Sequence, residues 1–329
     1  RRRHTRYWRD WSSDVCSSDL MAGLFFSRAL LSLSVIGFAA ISLVHSNYKQ
    51  HIREFLYQPL CWGTSLLFFI PLLSGLWSAD RLQWLQMMQV KLPLLFLPLA
   101  FARPLGFSEK HWQWLVGIFV LLVIGGAGYY LLDYFEYRHF YDLQYLQGRS
   151  LITPLDNDHV RFSLMVFVAM VFCGYQYYLR KTRQLAWVWI VLICLLVAYL
   201  HMLAARTGLM AFYISLLACS IYLFKKAKPA MAIGMIGLLI LIPVSAWFLF
   251  PSFQNKWRLF RFESSYFMNG SYSPSSNDMV RVISIKAGWN LIRSNPVLGT
   301  GYGDILKESK DWYAAHYPSM REEDRIYPS

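Results

Sequence analysis

Residues able to do chemistry are few in this chain, and they gather in three short segments. The first is LDNDHVRFSLM at 155–165, where Asp156, Asp158, His159 and Arg161 lead into an apolar run. The second is LHMLAARTGLMAF at 200–212, where Arg206 stands between two long apolar stretches with only Thr207 and Gly208 as polar company. The third is MVRVISIKAGWNLIRSNPVLGTGYGD at 279–304, which opens near Arg281, carries Gly299, Gly301 and Gly303, and closes on Asp304. Each also has a plain structural reading. Asp at a helix start is a cap, and an arginine at a span end snorkels to the interface. Arg281 borders an apolar stripe as a solvated charge, and His201 fits an interfacial histidine. An arginine inside an apolar region is different. Burying it at the bilayer centre costs about 2.5–3.5 kcal/mol on insertion scales, so Arg206 points to function.

The common theme is arginine with no cluster of carboxylates or histidines beside it to hold a metal. Arginine keeps its charge and meets phosphate oxygens in bidentate fashion. An ion pair at 4 Å is worth on the order of 4 kcal/mol at an effective dielectric of about 20. Two or three such contacts hold a lipid diphosphate without Mg²⁺ and stabilise it as a leaving group. What remains is a base for an acceptor hydroxyl, most naturally a histidine. A dinucleotide fingerprint is excluded at 299–304, because Asp304 occupies the third glycine position and no strand precedes the run.

The elements that position these residues are membrane helices. Of the 329 residues, 56% are hydrophobic and only 16% charged, and the mean hydropathy is +0.32. Soluble domains carry roughly 25% charged residues. Apolar runs fall at 24–44, 58–77, 84–102, 112–132, 160–179, 185–202, 207–224 and 229–250. The expected fold is therefore all-α: a polytopic helical membrane protein of about eight spans. The third run carries Lys91, Pro93 and Pro98 and is expected to be kinked or partly re-entrant. Cys61, Cys173, Cys194 and Cys219 fall in or beside apolar runs without metal-ligand spacing and read as small buried hydrophobes.

The net charge of +13 does not indicate nucleic acid, because much of the basic excess lies in short loops between spans. One set of loops contains Lys49, Arg53, Arg103, Lys110, Arg180, Lys181, Arg183, Lys225, Lys226 and Lys228; the alternate set offers Arg81, Arg138, Arg149 and Arg206. The positive-inside rule places the richer set in the cytoplasm. The loops at 133–159 and 203–206 then face outward, as does the tail at 251–329. Within that tail, Asn277 and Asp278 start a helix that ends at Ser294-Asn295-Pro296. Met279, Val282, Ile285, Trp289 and Ile292 form its apolar stripe, expected to lie on the membrane surface or on the helical bundle.

Residues 1–20 differ in character from the rest of the chain. DWSSDVCSSDL resembles the conceptual translation of a short-read sequencing adapter, and the segment is set aside as non-native. Three regions are thus expected: 1–20, a transmembrane domain at 21–250, and a periplasmic loop domain at 251–329. Both ends read as cut.

These motifs together resemble the O-antigen ligase and O-antigen polymerase family, bacterial inner-membrane glycosyltransferases of the GT-C kind. ARTG at 205–208 is similar to the family's Arg-Ser/Thr-Gly signature, and Arg281 through NPVLGTGYGD to its Arg-helix-Pro-x-x-Gly-x-Gly segment. DHVRFSL at 158–164 is a weaker match at the mouth of a span. The resemblance implies cofactor-free, metal-independent transfer of a glycan from undecaprenyl diphosphate to a sugar hydroxyl of the lipid A core, at the periplasmic face. It gives Arg206, Arg281 and Arg161 to the diphosphate, and leaves His159, Asp158, Asp304 and His316 as weaker candidates. The acceptor-activating histidine is expected beyond Ser329, so the stretch 1–329 is expected to be inactive by itself. Membrane lipids are the remaining partners. O-antigen polymerase and protein O-oligosaccharyltransferase stay open as acceptor variants. A lipid-linked sugar transporter or flippase is the alternative of another class, though no inverted repeat is visible.

Overall fold

The computed structural model describes residues 23, 25, 28–44, 48–102, 109–146, 153–154, 158–179, 186–268 and 277–327. The segment 1–20, Asp156, and the loop residues Arg103, Arg149, Arg180, Lys181 and Arg183 lie outside these. Among the described residues there is no strand. The helices are α1 (Arg28–Val44), α2 (Tyr48–Tyr57), α3 (Pro59–Ser74), α4 (Arg81–Phe101), α5 (Glu109–Glu136), α6 (Arg138–Leu146), α7 (His159–Leu179), α8 (Ala186–Leu203), α9 (Arg206–Lys225), α10 (Pro229–Leu249), α11 (Pro251–Met268), α12 (Asn277–Ser294) and α13 (Ile305–His316).

Six of these, α4, α5, α7, α8, α9 and α10, are long and apolar enough to cross a membrane. The first two of the eight expected runs form, among the described residues, the apolar helices α1 and α3 of 17 and 16 residues. Large apolar side chains such as Leu60, Val90 and Phe248 are 77–81% exposed. Such a surface fits hydrocarbon rather than water.

The chain divides into two compact units, residues 109–262 and residues 1–108 with 263–329. In the first, α7 is the central helix, packed against α5, α8 and α9. It buries Phe162, Met165, Val166, Ala169, Met170 and Cys173, a spacing of three and four that places them along one side. From α5 come Val116, Phe119, Val120, Val123 and Ala127, at the same spacing. Beyond the span, the Tyr141 hydroxyl donates to the Asp133 carboxylate; burial first, then that bond, pushes the phenol's pKa up.

The second unit contains the α3–α4 hairpin. The third apolar run forms one continuous helix through Pro93 and Pro98, with no re-entrant break. Proline at 98 removes the N–H that would bond the Leu94 carbonyl one turn back. The Ser65 hydroxyl of α3, fully buried, lies 3.1 Å from the Cys61 carbonyl of its own helix and 3.3 Å from the Leu94 carbonyl, so a neighbouring helix shares a donor with the freed acceptor. Across the hairpin the Trp84 indole N–H donates to the Pro71 carbonyl at 3.0 Å.

Helix α12 forms where the sequence places it, and besides Met279 of the expected stripe it packs through a second apolar face. Met279, Val280, Ile283 and Ala287 pack with Tyr313 of α13 and with Met320. Ile285, Trp289 and Ile292 are 56–69% exposed. The helix α13, which no apolar stripe announces, selects that face. Tyr313 lies fully buried in the cluster, its hydroxyl donating to the Ile326 carbonyl at 2.9 Å. Burial holds this phenol's pKa above its usual value, so it remains a donor at neutral pH.

The pairing of Ser65 with Pro98 has a measurable consequence. Ser65→Ala should lower stability in detergent unfolding by about 1 kcal/mol. In a Pro98→Ala background, where the amide returns to the Leu94 carbonyl, roughly half of that loss should vanish. Strictly additive losses would contradict the pairing.

Candidate functional site

In the unit 109–262, the Arg-Thr-Gly segment begins α9 immediately after a tight turn from α8. Ala204 in that turn has φ +50°, a left-handed backbone that non-glycine residues seldom adopt. Arg206 is the first helical residue, and the N-cap, Ala205, offers no side-chain hydrogen bond to the helix. An alanine cap leaves the first amides of a helix to other acceptors. The two residues after Arg206 fix its place. The Thr207 hydroxyl lies 3.2 Å from that of Ser163 on α7. Gly208 is buried so closely against α7 that a Cβ there would meet the Ser163 backbone oxygen at 2.8 Å and its Cβ at 2.7 Å.

That contact brings two of the sequence motifs together. Ser163 lies two residues after Arg161, in the first turns of α7. Asp158 precedes this helix, and its carboxylate accepts the Arg161 amide at 3.0 Å, as an N-cap does. The starts of α7 and α9 therefore stand side by side, with Arg161 half-buried and Arg206 exposed. The Arg206 guanidinium sits 5.6 Å from the centre of the Phe260 ring, within cation–π range. The mouth thus holds two arginines, the Asp158 carboxylate that caps α7, and the start of α9, which has no side-chain cap.

His201 lies beneath that mouth and is 1% exposed. Its Nδ1 lies 2.8 Å from the Val197 carbonyl and its Nε2 2.6 Å from the Tyr213 hydroxyl. A carbonyl only accepts, so Nδ1 carries the proton and Nε2 accepts from the tyrosine. Nδ1 is held within α8 and Nε2 ties α8 to α9, so this buried histidine is a clamp rather than an interfacial one.

In the other unit, the glycine turn does not stand free. It is seated on the loop between α3 and α4. The Asp304 carboxylate accepts the Ala79 amide at 2.7 Å and the Asp80 amide at 2.9 Å. The Tyr302 and Gly303 amides donate to the hydroxyls of Ser74 and Ser78. Gly301 has φ +88°, and a Cβ on Gly303 would collide with the Asp80 carbonyl oxygen. Glycine at 301 is needed for the backbone, and at 303 for the approach. Asp304, a weaker site candidate in sequence, is the N-cap residue of α13, yet its side chain makes no bond to that helix. Its oxygens are bonded to the hairpin instead. Lys91, deep in α4, points its ammonium at the Tyr302 ring, 5.0 Å from its centre.

Arg281 is exposed on α12. His316 is exposed and stacked on Trp312 at 4.6 Å, with Nδ1 3.0 Å from the Trp312 carbonyl. His159, half-buried, is the first residue of α7. Among the described residues, no group of three or more His, Cys, Asp or Glu is placed to hold a metal ion. Sequence reasoning missed Ser163 as the partner of the Arg-Thr-Gly segment. Its small size amid bulky residues, on the helix that Arg161 begins, was the available signal.

The fold is that of a multi-pass helical membrane protein, with arginines at the starts of two of its candidate spans. A comparison with protein-family models matches residues 191–328 to the family described as O-antigen ligase. The matched stretch, a little under half of the chain, includes Arg206, Arg281 and the glycine turn. Searches of curated proteins and of solved structures returned no match.

Gly208→Ala should destabilise the chain by about 1–3 kcal/mol in thermal unfolding, as over-packing does. Gly234→Ala, where a Cβ meets nothing within 4 Å, should be neutral or mildly stabilising. Equal effects would remove the close-contact explanation. For the turn, Gly303→Ala and Asp304→Asn should each speed hydrogen exchange at the Ala79 and Asp80 amides. Unchanged protection in both would mean that the turn is not held as described.

Proposed function

We propose that the mouth formed by the starts of α7 and α9 binds the diphosphate of an undecaprenyl-linked glycan. The chain then serves transfer of that glycan to a sugar hydroxyl of the lipid A core, in the manner of an O-antigen ligase. The observation that carries this reading is Arg206 on the first turn of a helix whose N-cap provides no side-chain acceptor, locked beside the helix that Arg161 begins. A diphosphate presents several acceptor oxygens and two or more negative charges. Guanidinium groups and helix amides answer both.

In the transfer, the acceptor hydroxyl attacks the anomeric carbon, and the bond from that carbon to the diphosphate oxygen breaks. The leaving diphosphate gains the charge, and arginines stabilise it where it develops. The hydroxyl proton passes to a base. Because fixed cationic side chains answer the charge, the reading makes the reaction independent of a divalent metal. Arg281 is proposed as a further diphosphate contact on the strength of the family segment that it opens.

Membrane sidedness supports the reading. The hydrogen bonds from Ala79 and Asp80 to Asp304 require residues 80 and 304 to share one side. Six candidate spans lie between them, an even number. Within the unit 109–262, alternation of the spans puts the starts of α7 and α9 on one side of the membrane. The charge bias of the loops supports reading that side as the periplasmic face of a bacterial inner membrane.

Binding of an undecaprenyl diphosphate analogue to the purified chain in nanodiscs tests this. Arg206→Ala should weaken binding about 30-fold or more, and Arg206→Lys about tenfold, since a lysine gives up the bidentate fork. Arg161→Ala and Arg281→Ala should weaken it as well, and chelation of divalent cations should leave the affinity of the unaltered chain unchanged. Retained affinity in Arg206→Ala, or loss on chelation, would overturn the assignment.

A further inference from the structure

Between α12 and α13 lies a groove of ≈ 350 Å³, within the range of about 300–1,000 Å³ typical of small-molecule sites. None of the arginines assigned to the diphosphate lines it. Its walls alternate flat rings with planar polar groups: Trp289, Asn290 and Arg293 from α12 face Trp312 and His316 from α13. Lys286 adds a second cationic side chain, and the lining contains no carboxylate.

We infer that this groove binds a sugar residue bearing a negative charge, as part of the glycan handled by the chain. The ring of a sugar has an apolar C–H face and a polar edge. Indole supplies a broad apolar surface for the first. Asparagine and arginine present planar donors, and in the case of asparagine an acceptor, for the second. Trp289 is 56% exposed, so its ring face is open to a ligand. The Arg293 guanidinium is 5.5 Å from the centre of the Trp289 ring, and His316 lies flat against Trp312. Ring surface and positive charge thus occur together, as an acidic sugar requires and a neutral one does not.

A bilayer surface is the competing occupant, because Ile285 and Ile292 lie exposed on the same helix. The groove argues against it. Lys286, Asn290 and Arg293 recur at spacings of four and three, so a polar row runs along α12 and faces Trp312 and His316 across the groove. A helix seated in lipid would keep such a row turned to water. For its place in the reaction the inference rests on the glycan-transfer reading, but binding is measured without transfer.

The test uses the full chain in nanodiscs with fluorotryptophan incorporated, the two resonances being assigned through Trp289→Phe and Trp312→Phe. Galacturonate should shift both resonances in a saturable way, and galactose or acetate should bind at least about fivefold more weakly, because ring and charge act together. Arg293→Gln should weaken galacturonate binding about tenfold. Absence of any shift, or an equal response to acetate alone, overturns the proposal. So does broadening of the Trp289 resonance by a spin-labelled lipid, which would seat the groove on the bilayer. Trp289 is exposed, so its substitution leaves the fold intact and the assignment available if Trp312→Phe fails to fold. Intact diphosphate affinity with no sugar response would remove the groove while leaving the diphosphate reading in place.

Discussion

The approach of α9 to α7 at Gly208 is the contact on which the positive mouth depends. No side chain fits between the glycine and the Ser163 backbone, and the hydroxyls of Thr207 and Ser163 meet beside it. The three residues of the Arg-Thr-Gly segment therefore divide the work. Glycine sets the distance between two helices, threonine ties them, and arginine is carried to the first turn, where the backbone itself is positive. An arginine one turn deeper would face hydrocarbon and lose much of its value to desolvation. One turn earlier it would lie outside the helix, without the supporting amides.

The glycine turn at 299–304 follows the same logic in the other unit. Its glycines let a surface segment press against a membrane hairpin, where Ser74, Ser78 and the Asp80 backbone leave no room for side chains. Asp304 satisfies two amides at the start of α4, and the Asp80 carboxylate accepts the Gln83 amide one turn further in. Polar groups at the end of an apolar hairpin are thus paired locally. Both glycine-containing motifs are instances of close backbone approach, one between helices and one between a turn and a hairpin.

Much of this was legible in the sequence. Composition and long apolar runs dictate membrane helices, and the caps around α12 marked its ends at Asn277 and Ser294. The Arg-Thr-Gly segment stood out because an arginine in an apolar region is costly. Other features were not legible, for identifiable reasons. Helix α12 offers two apolar faces, and only the packing of α13 decides that Ile283 and Ala287 go inside while Trp289 stays out. The role of Asp304 depends on amides more than two hundred positions away, which no local pattern reveals. Among the described residues six helices are long and apolar enough to span, and the first two expected runs form the shorter apolar helices α1 and α3.

The central claim is that an anionic lipid head is held by Arg206 and the adjoining helix amides. A structure of the chain in nanodiscs, determined by cryo-electron microscopy with an undecaprenyl diphosphate analogue bound, tests this directly. The account predicts phosphate density within about 4 Å of the Arg206 guanidinium, in contact with the first amides of α9. Phosphate density bound elsewhere, with Arg206 and those amides facing solvent, would contradict it.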